Sequence, residues 1–382
     1  MVPAARAAAA IAVLNRSLAG EPAEKALTQW ARGARYAGSG DRAAVRDLVF
    51  DALRCRRSFA ALGGAMTGRG LILGAARAAG IDPALWFDGS AHGPAPVGDE
   101  PGRAPEGAEA FDIPDWLEPS LRAALGEDFA AVTQTMRHRA PVTLRVNLAR
   151  IARAAAMERL ADEGIIAGPH PLAEAALTVT EGARRIERSA VYAEGLVELQ
   201  DASSQAVVEA LPLAPGLKVL DLCAGGGGKT LAMGARAPLR LVAHDIAPRR
   251  MADLPARAAR AGLKVTLTEN PEKSGPYDLI LADVPCSGSG SWRRDPEGKW
   301  RLTPERLAEL TGIQAGILDR AAAMLAAGGT LAYATCSFLR EENEQAVEAF
   351  LARHSGWSCR LTRRFSPLQG GDGFFVALLT VA

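Results

Sequence analysis

The sequence predicts an α/β protein whose C-terminal part is a doubly wound, mostly parallel sheet, preceded by an all-helical domain and a small α+β subdomain. Short apolar runs alternate with helical segments in the C-terminal part, apolar residues recur at helical spacing near the N-terminus, and short strands and helices mix in between. The predicted divisions are a helical domain (1–85), an acidic Gly/Pro-rich linker or loop (86–112), an α+β connecting subdomain (113–212) and the doubly wound domain (213–382).

Length and composition are those of an ordinary globular protein with two or three domains. The chain has 382 residues, 48% of them hydrophobic and 23% charged, and its net charge is +1. We expect a cytoplasmic protein without membrane contact, because no apolar run has the length of a membrane helix and no cleavable signal is recognisable. The five cysteines are widely spaced without a C-x-x-C pair, so we expect neither a metal site nor a disulfide framework.

The first region has a basic bias. Residues 1–82 contain twelve Lys and Arg residues against six Asp and Glu residues, and Arg54, Arg56 and Arg57 cluster at a predicted helix end. Two interpretations stay open for this surface. It is either a plain solvated face or an RNA-contacting face, since neutralisation of phosphates drives RNA binding.

The two middle regions differ in character. Residues 86–112 are rich in Pro, Gly and acidic residues, which predicts a flexible surface loop or linker whose charge disfavours RNA contact. Beyond it, Pro114 begins a helix. Strands are predicted over 141–147 and near 177–179 and 196–199, with a helix over 151–163.

The C-terminal region alternates between strand and helix. Predicted strands are 217–223, 239–245, 264–267, 277–283 and 330–335, predicted helices are 248–261, 304–326 and 342–353, and a final β pair covers 357–365 and 374–381. Sheets of this type bind ligands at the carboxyl ends of their strands. Cys223, Asp245, Asp283 and Cys336 all lie at or just after predicted strand ends.

The stretch from Val219 to Thr230 predicts a buried strand, a run of four glycines and a helix start, which together suit a nucleotide-like cofactor. One interpretation is a P-loop, whose end fits Gly228-Lys229-Thr230 but whose first glycine would fall on Cys223. Another is an S-adenosylmethionine loop, in which Asp245 would bind the ribose hydroxyls. An ordinary glycine-rich turn is disfavoured, because four glycines lose much chain entropy on folding.

Two cysteines favour one of these interpretations. Cys286 follows the strand that ends at Asp283, and Cys336 follows the next predicted strand of the sheet. Because the carboxyl ends of parallel strands meet at one edge, the two thiols can converge on one pocket. Buried cysteines are usually inert, but both of these are flanked by small polar residues at strand tips.

Three motifs resemble the signatures of the Nop/Sun (RsmB-like) family of RNA cytosine-5 methyltransferases, and the first residues resemble a NusB-like RNA-binding domain. The motifs are Asp221-Leu222-Cys223-Ala224-Gly225-Gly226-Gly227-Gly228-Lys229-Thr230, Asp283-Val284-Pro285-Cys286-Ser287-Gly288 and Thr335-Cys336-Ser337. The segments 200–205, 293–300 and 371–375 match as well, and the NusB-like likeness rests on residues 41–57. The family usually has proline at Gly226, which predicts a less constrained loop here.

The resemblance implies a class I methyltransferase that takes its methyl group from S-adenosylmethionine and acts on a flipped-out cytosine in RNA. It implies that Cys336 is the nucleophile, that Cys286 assists release of the carbon-5 proton, that Asp283 holds the cytosine edge and that Lys229 orients the reacting groups. The implied cofactor-binding residues are Cys223, Ala224, Gly225, Gly226, Gly227, Gly228, Lys229, Asp245, Asn270 and Asp283.

The same resemblance implies action on small-subunit ribosomal RNA, and a monomer is the default expectation. Arg293, Arg294, Lys299 and Arg301 would contact the RNA backbone, with a solvated loop as the alternative interpretation. Transfer RNA is an alternative substrate. A non-catalytic RNA-binding assembly factor with the same fold is an alternative function, which the intact cysteine pair disfavours.

Overall fold

The computed structural model describes residues 1–381, which form two compact units. The helical unit contains Met1–Arg139 and Trp292–Arg301, and the sheet unit contains Ala140–Ser291 and Leu302–Ala382. This division differs from the predicted boundaries at two places, because residues 113–139 and the segment 292–301 both belong to the helical unit.

The helical unit is built from amphipathic helices around one core. Its helices are α1 (Pro3–Leu18), α2 (Ala23–Gly33), α3 (Ser39–Arg54), α4 (Arg56–Gly63), α5 (Gly68–Ala78), α6 (Glu118–Leu125), α7 (Phe129–Met136) and α14 (Pro296–Arg301). The remaining helices, in the sheet unit, are α8 (Arg153–Asp162), α9 (Ala190–Ala193), α10 (Ala202–Glu209), α11 (Gly228–Arg236), α12 (Leu254–Ala261), α13 (Pro271–Ser274), α15 (Pro304–Ala323) and α16 (Glu344–Arg353). The core of the helical unit is formed mainly by α1, α3 and α5, whose buried side chains include Leu14, Val49 and Leu71.

The segment 292–301 completes the C-terminal end of α3. The Lys299 ammonium donates to the carbonyl of Arg54 at 2.9 Å, and the Trp300 indole donates to the carbonyl of Leu53 at 2.7 Å. The Arg54 guanidinium in turn donates to the carbonyl of Arg293 at 2.8 Å. The last carbonyls of a helix have no partner within the helix, so these side chains satisfy them.

The acidic segment 86–112 packs within the helical unit. Phe87 and Asp112 are both buried, and Glu100 pairs with Arg69 at 2.6 Å. Asp112 accepts hydrogen bonds from the backbone N–H groups of Arg57 and Ser58, at the start of α4. A carboxylate at a helix N-terminus satisfies the free N–H groups and the helix dipole, which explains why this acid is buried.

A small antiparallel sheet forms the first part of the sheet unit. Its strands are β1 (Val142–Val146), β2 (Ile166–Pro169), β3 (Ala176–Glu181) and β4 (Val197–Leu199), in the order β2-β3-β1-β4. With α8 and α9 it forms the predicted α+β subdomain, around buried Leu144, Leu160 and Leu177. The strand β2 was not predicted, because Gly168 and Pro169 indicate a break. Proline is tolerated there because β2 is an edge strand.

The larger sheet has seven strands in the order β10-β11-β9-β8-β5-β6-β7. The strands are β5 (Lys218–Asp221), β6 (Arg240–Ala243), β7 (Val265–Leu267), β8 (Tyr277–Asp283), β9 (Leu325–Thr335), β10 (Trp357–Phe365) and β11 (Phe374–Val381). Strands β5 to β9 pair in parallel, while β11 lies antiparallel to both β9 and β10. The predicted doubly wound, mostly parallel sheet is therefore confirmed.

Alternate residues of each strand fill cores on the two faces of this sheet. Leu279 and Leu281 of β8 belong to a cluster that includes residues of α10 and α11, whereas Ile280 and Ala282 belong to a cluster that includes residues of α15 and α16. A strand with helices on both faces is apolar at every position, which is why β8 was recognisable in the sequence.

Two predicted helices have different bounds in the structure. The predicted helix over 248–261 is a 3-10 turn (Pro248–Met251) followed by α12, because Pro255 lacks an N–H group and fits only the first turn of a helix. The predicted helix over 304–326 ends at Ala323, since Leu325 already pairs with Tyr277 in the sheet.

Within residues 1–381, no single helix has both the length and the apolar character needed to cross a membrane. Helices α4 and α5 pass that test only as a pair, which is bent by 89°.

Lys299 gives a test of the packing of the helical unit. Burial lowers the pKa of Lys299 to about 8, against about 10.4 in an unfolded chain. Below pH 8 the lysine is charged in both states, and its burial costs stability. Between pH 8 and about 10.4 the folded state loses this proton first, so the wild type gains stability relative to Lys299→Met, by about 3 kcal/mol in total.

Urea unfolding of both proteins between pH 7 and pH 10.5 measures the gap between them, which is the difference in their free energies of unfolding. The matched control is Lys264→Met, because Lys264 is exposed. A gap for Lys299→Met that stays constant across this range would contradict the burial of a charged Lys299.

Candidate active site

The sulfur atoms of Cys286 and Cys336 lie 3.4 Å apart. Cys286 follows β8 by three residues, and Cys336 directly follows β9. These strands pair in parallel with Asp283 opposite Ala334, so both thiols emerge at the same edge of the sheet. The predicted convergence of the two thiols is therefore confirmed.

The surroundings of Cys336 favour its thiolate. A hydrogen bond from Cys286 is the largest effect that lowers the pKa of Cys336, and the charge of Lys229 and a long contact from the Ser291 hydroxyl at 3.9 Å act in the same direction. Burial and the carboxylate of Asp283 oppose the shift, but the net pKa is lowered. A lowered pKa is what a nucleophilic cysteine requires.

Cys286 has the opposite character. Its hydrogen bond to Cys336 raises the pKa of the Cys286 thiol well above the ordinary value, and burial and the charge of Glu342 raise it further. The pair therefore loses its first proton more readily from Cys336 than from Cys286.

Lys229 and Asp283 form an ion pair beside the thiols. The Lys229 ammonium donates to the Asp283 carboxylate at 2.7 Å and lies over the Phe374 ring at 4.9 Å. Burial lowers the pKa of Lys229, but the charge of Asp283, the hydrogen bond to it and the charges of Cys336 and Asp221 together outweigh burial, so the net pKa is raised and the lysine stays charged. The Asp283 side chain retains 28% of its exposure, so a ligand can reach its free edge.

The glycine run lies between β5 and α11, where it is held by polar contacts. The N–H of Gly225 donates to Asp245 at 2.9 Å, Arg257 donates to the carbonyl of Gly226, and Arg145 donates to the carbonyl of Gly228 at 2.7 Å. Gly227 has φ +79°, and a Cβ there would lie 2.2 Å from Leu254, so this position requires glycine.

A buried acid, Asp221, ends the strand before this loop, where the family resemblance places S-adenosylmethionine. Within residues 1–381, Oδ1 of Asp221 is buried without a hydrogen-bond partner, while Oδ2 accepts from Thr230 at 2.6 Å. Burial raises the pKa of Asp221 to about 7. An unsatisfied buried carboxylate oxygen is costly unless a ligand donor reaches it, so the residues present fit a cationic amino group.

The other predicted cofactor residues have different surroundings. Asp245 follows β6, is almost fully buried and holds the N–H groups of Gly225 and Ala247. Cys223 is partly buried, and burial raises the pKa of its thiol, so it is not a second nucleophile. Asn270 is exposed beyond the edge strand β7. The roles of these three residues and of Ala224 in cofactor binding stay predictions.

The prediction of an exposed basic group within residues 293–301 is wrong for two of its four residues. Arg293 and Lys299 are only 3% and 5% exposed, and both are hydrogen-bonded around the end of α3 within the helical unit. Arg294 and Arg301 are exposed. The sequence cannot distinguish these cases, because a lysine that caps a helix has the same neighbours in sequence as a solvated one.

Sequence reasoning missed two residues that hold this site together, Arg145 and Glu342. Arg145 of β1 links Gln200 to the glycine loop, donating to the Gln200 side chain at 2.7 Å as well as to Gly228. Glu342 is fully buried and joins the loops that carry the two thiols. The polar run 200–205 was a usable signal for Gln200, while Glu342 looked like an ordinary acid at a helix start.

A parallel sheet with one antiparallel strand, a glycine loop after β5, and acidic and thiol side chains at the carboxyl ends of the strands define a Rossmann-like class I methyltransferase that uses S-adenosylmethionine. A family model described as 16S rRNA methyltransferase RsmB/F matches residues 208–380, and one for the RsmF/B-like ferredoxin-like domain matches residues 113–185. The chain belongs to this RsmB/F family. The P-loop interpretation is therefore wrong.

Individual relatives agree with this assignment. Ribosomal RNA small subunit methyltransferase B of Xanthomonas campestris pv. campestris is 34% identical over 302 residues, which cover 73% of this chain and 68% of that protein. Matches to such relatives span about two thirds of their length.

Two solved structures share the fold. PH0851 has a TM-score of 0.76 at 21% identity, covering 100% of this chain and 99% of its own. A methyltransferase homolog protein from Pyrococcus horikoshii has a TM-score of 0.61 at 24% identity, covering 70% of this chain and 95% of its own.

The effect of Cys286 on the pKa of Cys336 can be tested by substitution. Replacing Cys286 with Ala removes the S–H donor, so we expect the pKa of Cys336 to rise and the pH midpoint of its alkylation by iodoacetamide to move upward. Cys286→Ser keeps a donor, and its midpoint should lie closer to that of the wild type.

Mass spectrometry of the peptide that contains Cys336 follows this reaction separately from the other thiols. An unchanged midpoint in Cys286→Ala would show that the hydrogen bond from Cys286 does not set the acidity of Cys336.

Proposed function

We propose that this chain transfers a methyl group from S-adenosylmethionine to carbon 5 of a cytosine in small-subunit (16S) ribosomal RNA, through a covalent bond between Cys336 and that cytosine. The observation that carries the proposal is the pair of sulfur atoms 3.4 Å apart beside the Lys229–Asp283 ion pair. Family membership supports the RNA substrate.

Cys336 supplies the nucleophile. Its thiolate forms a bond to ring carbon 6, and the electron pair of the carbon 5–carbon 6 double bond makes carbon 5 nucleophilic. S-adenosylmethionine supplies the electrophilic methyl group that carbon 5 then takes. The lowered pKa of Cys336 supports this role, because only a thiolate can attack the ring.

Cys286 serves the release step. Its pKa is raised chiefly by the interaction with Cys336, so that interaction disappears once the Cys336 sulfur is bonded to carbon. Cys286 then releases its proton to solvent more easily, and the resulting thiolate can take the proton of carbon 5. The electron pair of the broken C–H bond restores the ring double bond and expels the Cys336 thiolate.

Asp283 and Lys229 orient the base and stabilise charge. A carboxylate that is fixed on one oxygen and partly exposed is suited to accept a hydrogen bond from the exocyclic amino group at the ring edge, and from nitrogen 3 when that atom carries a proton. Lys229 keeps its positive charge next to the thiolate and the carboxylate. Cys223, Ala224, the glycines 225–228, Asp221 and Asp245 would hold the cofactor.

The helical unit is proposed to contact RNA. Many of its basic residues are bound internally, since Arg57 pairs with Asp115 at 2.7 Å and Arg54 is buried. Exposed basic residues remain around α2 and the start of α3, namely Arg32, Arg35 and Arg42, next to Tyr36, which is 75% exposed. Cationic and aromatic side chains together suit phosphates and unpaired bases. We propose a cytoplasmic monomer.

Trapping the covalent intermediate tests the reaction. Cys286→Ala with 16S ribosomal RNA and S-adenosylmethionine should accumulate a protein–RNA adduct that survives denaturing electrophoresis, because release is slowed after methyl transfer. Cys336→Ala should form no adduct, and its methylation rate should be about 100-fold or more below that of the wild type.

The outcome of that experiment also identifies the substrate. Ribosomal and transfer RNA are offered separately, and bisulfite sequencing of RNA from a strain lacking the gene locates the cytosine. Methylation by Cys336→Ala at the rate of the wild type would refute the assigned roles. Product on transfer RNA alone would favour the alternative substrate.

Charge reversal tests the RNA-contacting face. Arg35→Glu/Arg42→Glu should weaken RNA binding and reduce its salt dependence by about two released ions, because two phosphate contacts are lost. S-adenosylmethionine binding should not change. The matched control is Lys264→Glu/Lys273→Glu, which changes the charge equally at exposed positions of the sheet unit. Equal RNA affinity of the two double variants would place the RNA elsewhere.

A further inference from the structure

Glu342 is a buried carboxylate whose partners are all neutral in the described part of the chain. It has no solvent exposure and lies two residues before α16. One oxygen accepts from the N–H of Ser287 at 2.7 Å and from the Gln314 amide at 3.0 Å. The other oxygen accepts from the hydroxyls of Ser287 and Ser337.

These partners flank the two thiols. Ser287 follows Cys286 and Ser337 follows Cys336, and their hydroxyl oxygens lie 3.2 Å apart. One carboxylate therefore bridges the two loops at the residues next to the sulfur atoms. Because the peptide group is planar, fixing the N–H of Ser287 also fixes the direction of the Cys286 Cα.

The residue before Cys286 is held by the same network. The Gln314 amide donates to the carbonyl of Pro285 at 3.0 Å while it also donates to Glu342. The loop of Cys286 is thus anchored on both sides of the thiol, and each anchor connects to Glu342.

Burial of the Glu342 carboxylate does not by itself stabilise the folded state. An ionised group without a cationic partner is costly to bury, and an apolar side chain of similar volume would pack at lower cost. Four hydrogen bonds offset much of the cost, but they require two loops to meet in one arrangement. What the carboxylate provides is a fixed geometry of those loops.

We propose that Glu342 is a positioning residue for methyl transfer, which joins the loop after Cys286 to the loop after Cys336 and so sets the approach of the two sulfur atoms. The role in transfer rests on the proposed function, in which both thiols take part. The geometric part stands on the contacts of Glu342 alone and can be tested without RNA or cofactor.

Glu342→Gln tests the proposal in the full-length protein, with Glu348→Gln on the exposed face of α16 as the matched control. The first measurement is the rate at which diamide links Cys286 and Cys336, followed by peptide mass spectrometry. Two thiols lose two protons and two electrons, and diamide is reduced to the hydrazine. We expect linkage to be about tenfold slower in Glu342→Gln, because the loops no longer hold the sulfurs together.

The second measurement is turnover on 16S ribosomal RNA. We expect kcat to fall by about tenfold or more, with KM for RNA and the Kd for S-adenosylmethionine within about twofold of the wild type, since substrate and cofactor contacts are unchanged. A purely structural role would instead lower the folded fraction, and with it the amount of cofactor bound. Wild-type linkage and wild-type kcat in Glu342→Gln would overturn the proposal.

A second variant tests the proposal if Glu342→Gln folds poorly. Ser337→Ala removes one of the four hydrogen bonds and should slow linkage and turnover by a smaller factor in the same direction. Unchanged values for both in Ser337→Ala would also overturn the proposal. If the wild type does not methylate the RNA, the proposed function fails, while the linkage rates still decide whether Glu342 positions the thiols.

Discussion

The parallel pairing of β8 and β9 is the constraint on which the site depends. Asp283 pairs opposite Ala334, so the residues that follow both strands leave the sheet at one edge and within reach of each other. Apolar side chains on both faces of these strands fix their register, because a slip of one residue would turn every buried side chain to the opposite face. The distance between the two thiols is thus a consequence of core packing.

Electrostatics then makes the two thiols different. Both cysteines are similar in sequence context, yet the hydrogen bond between them lowers the pKa of Cys336 and raises that of Cys286, and the charges of Lys229 and Glu342 act in the same respective directions. Lys229 belongs to the helix after the glycine loop, pairs with Asp283 and lowers the pKa of Cys336 by its charge. The same three-stranded centre of the sheet, β5, β8 and β9, therefore organises the glycine loop and the thiol pair together.

Much of the fold was predictable. The strand β8 and the pair β10–β11 have the predicted bounds. For β8 and β11 the reason is burial, since strands that are mostly buried are mostly apolar. Errors arose where local and tertiary preferences differ. The edge strand β2, which contains Pro169, was not predicted, and Pro255 divides a helix that periodicity predicts as continuous. Lys299 was predicted to face RNA, but it caps α3 from a position distant in sequence, and no local pattern encodes that contact.

The sequence alone determined the class of this protein, because glycines, strand-end acids and two cysteines at strand tips are local features that survive without coordinates. It also predicted that the thiols can converge on one pocket, since the carboxyl ends of parallel strands share one edge. Only the tertiary structure decided which groups hold them there. Glu342 accepts from residues 55 positions earlier in the chain, and Arg145 reaches Gly228 from another sheet. Such contacts depend on side-chain geometry between distant segments, which spacing in one sequence does not specify.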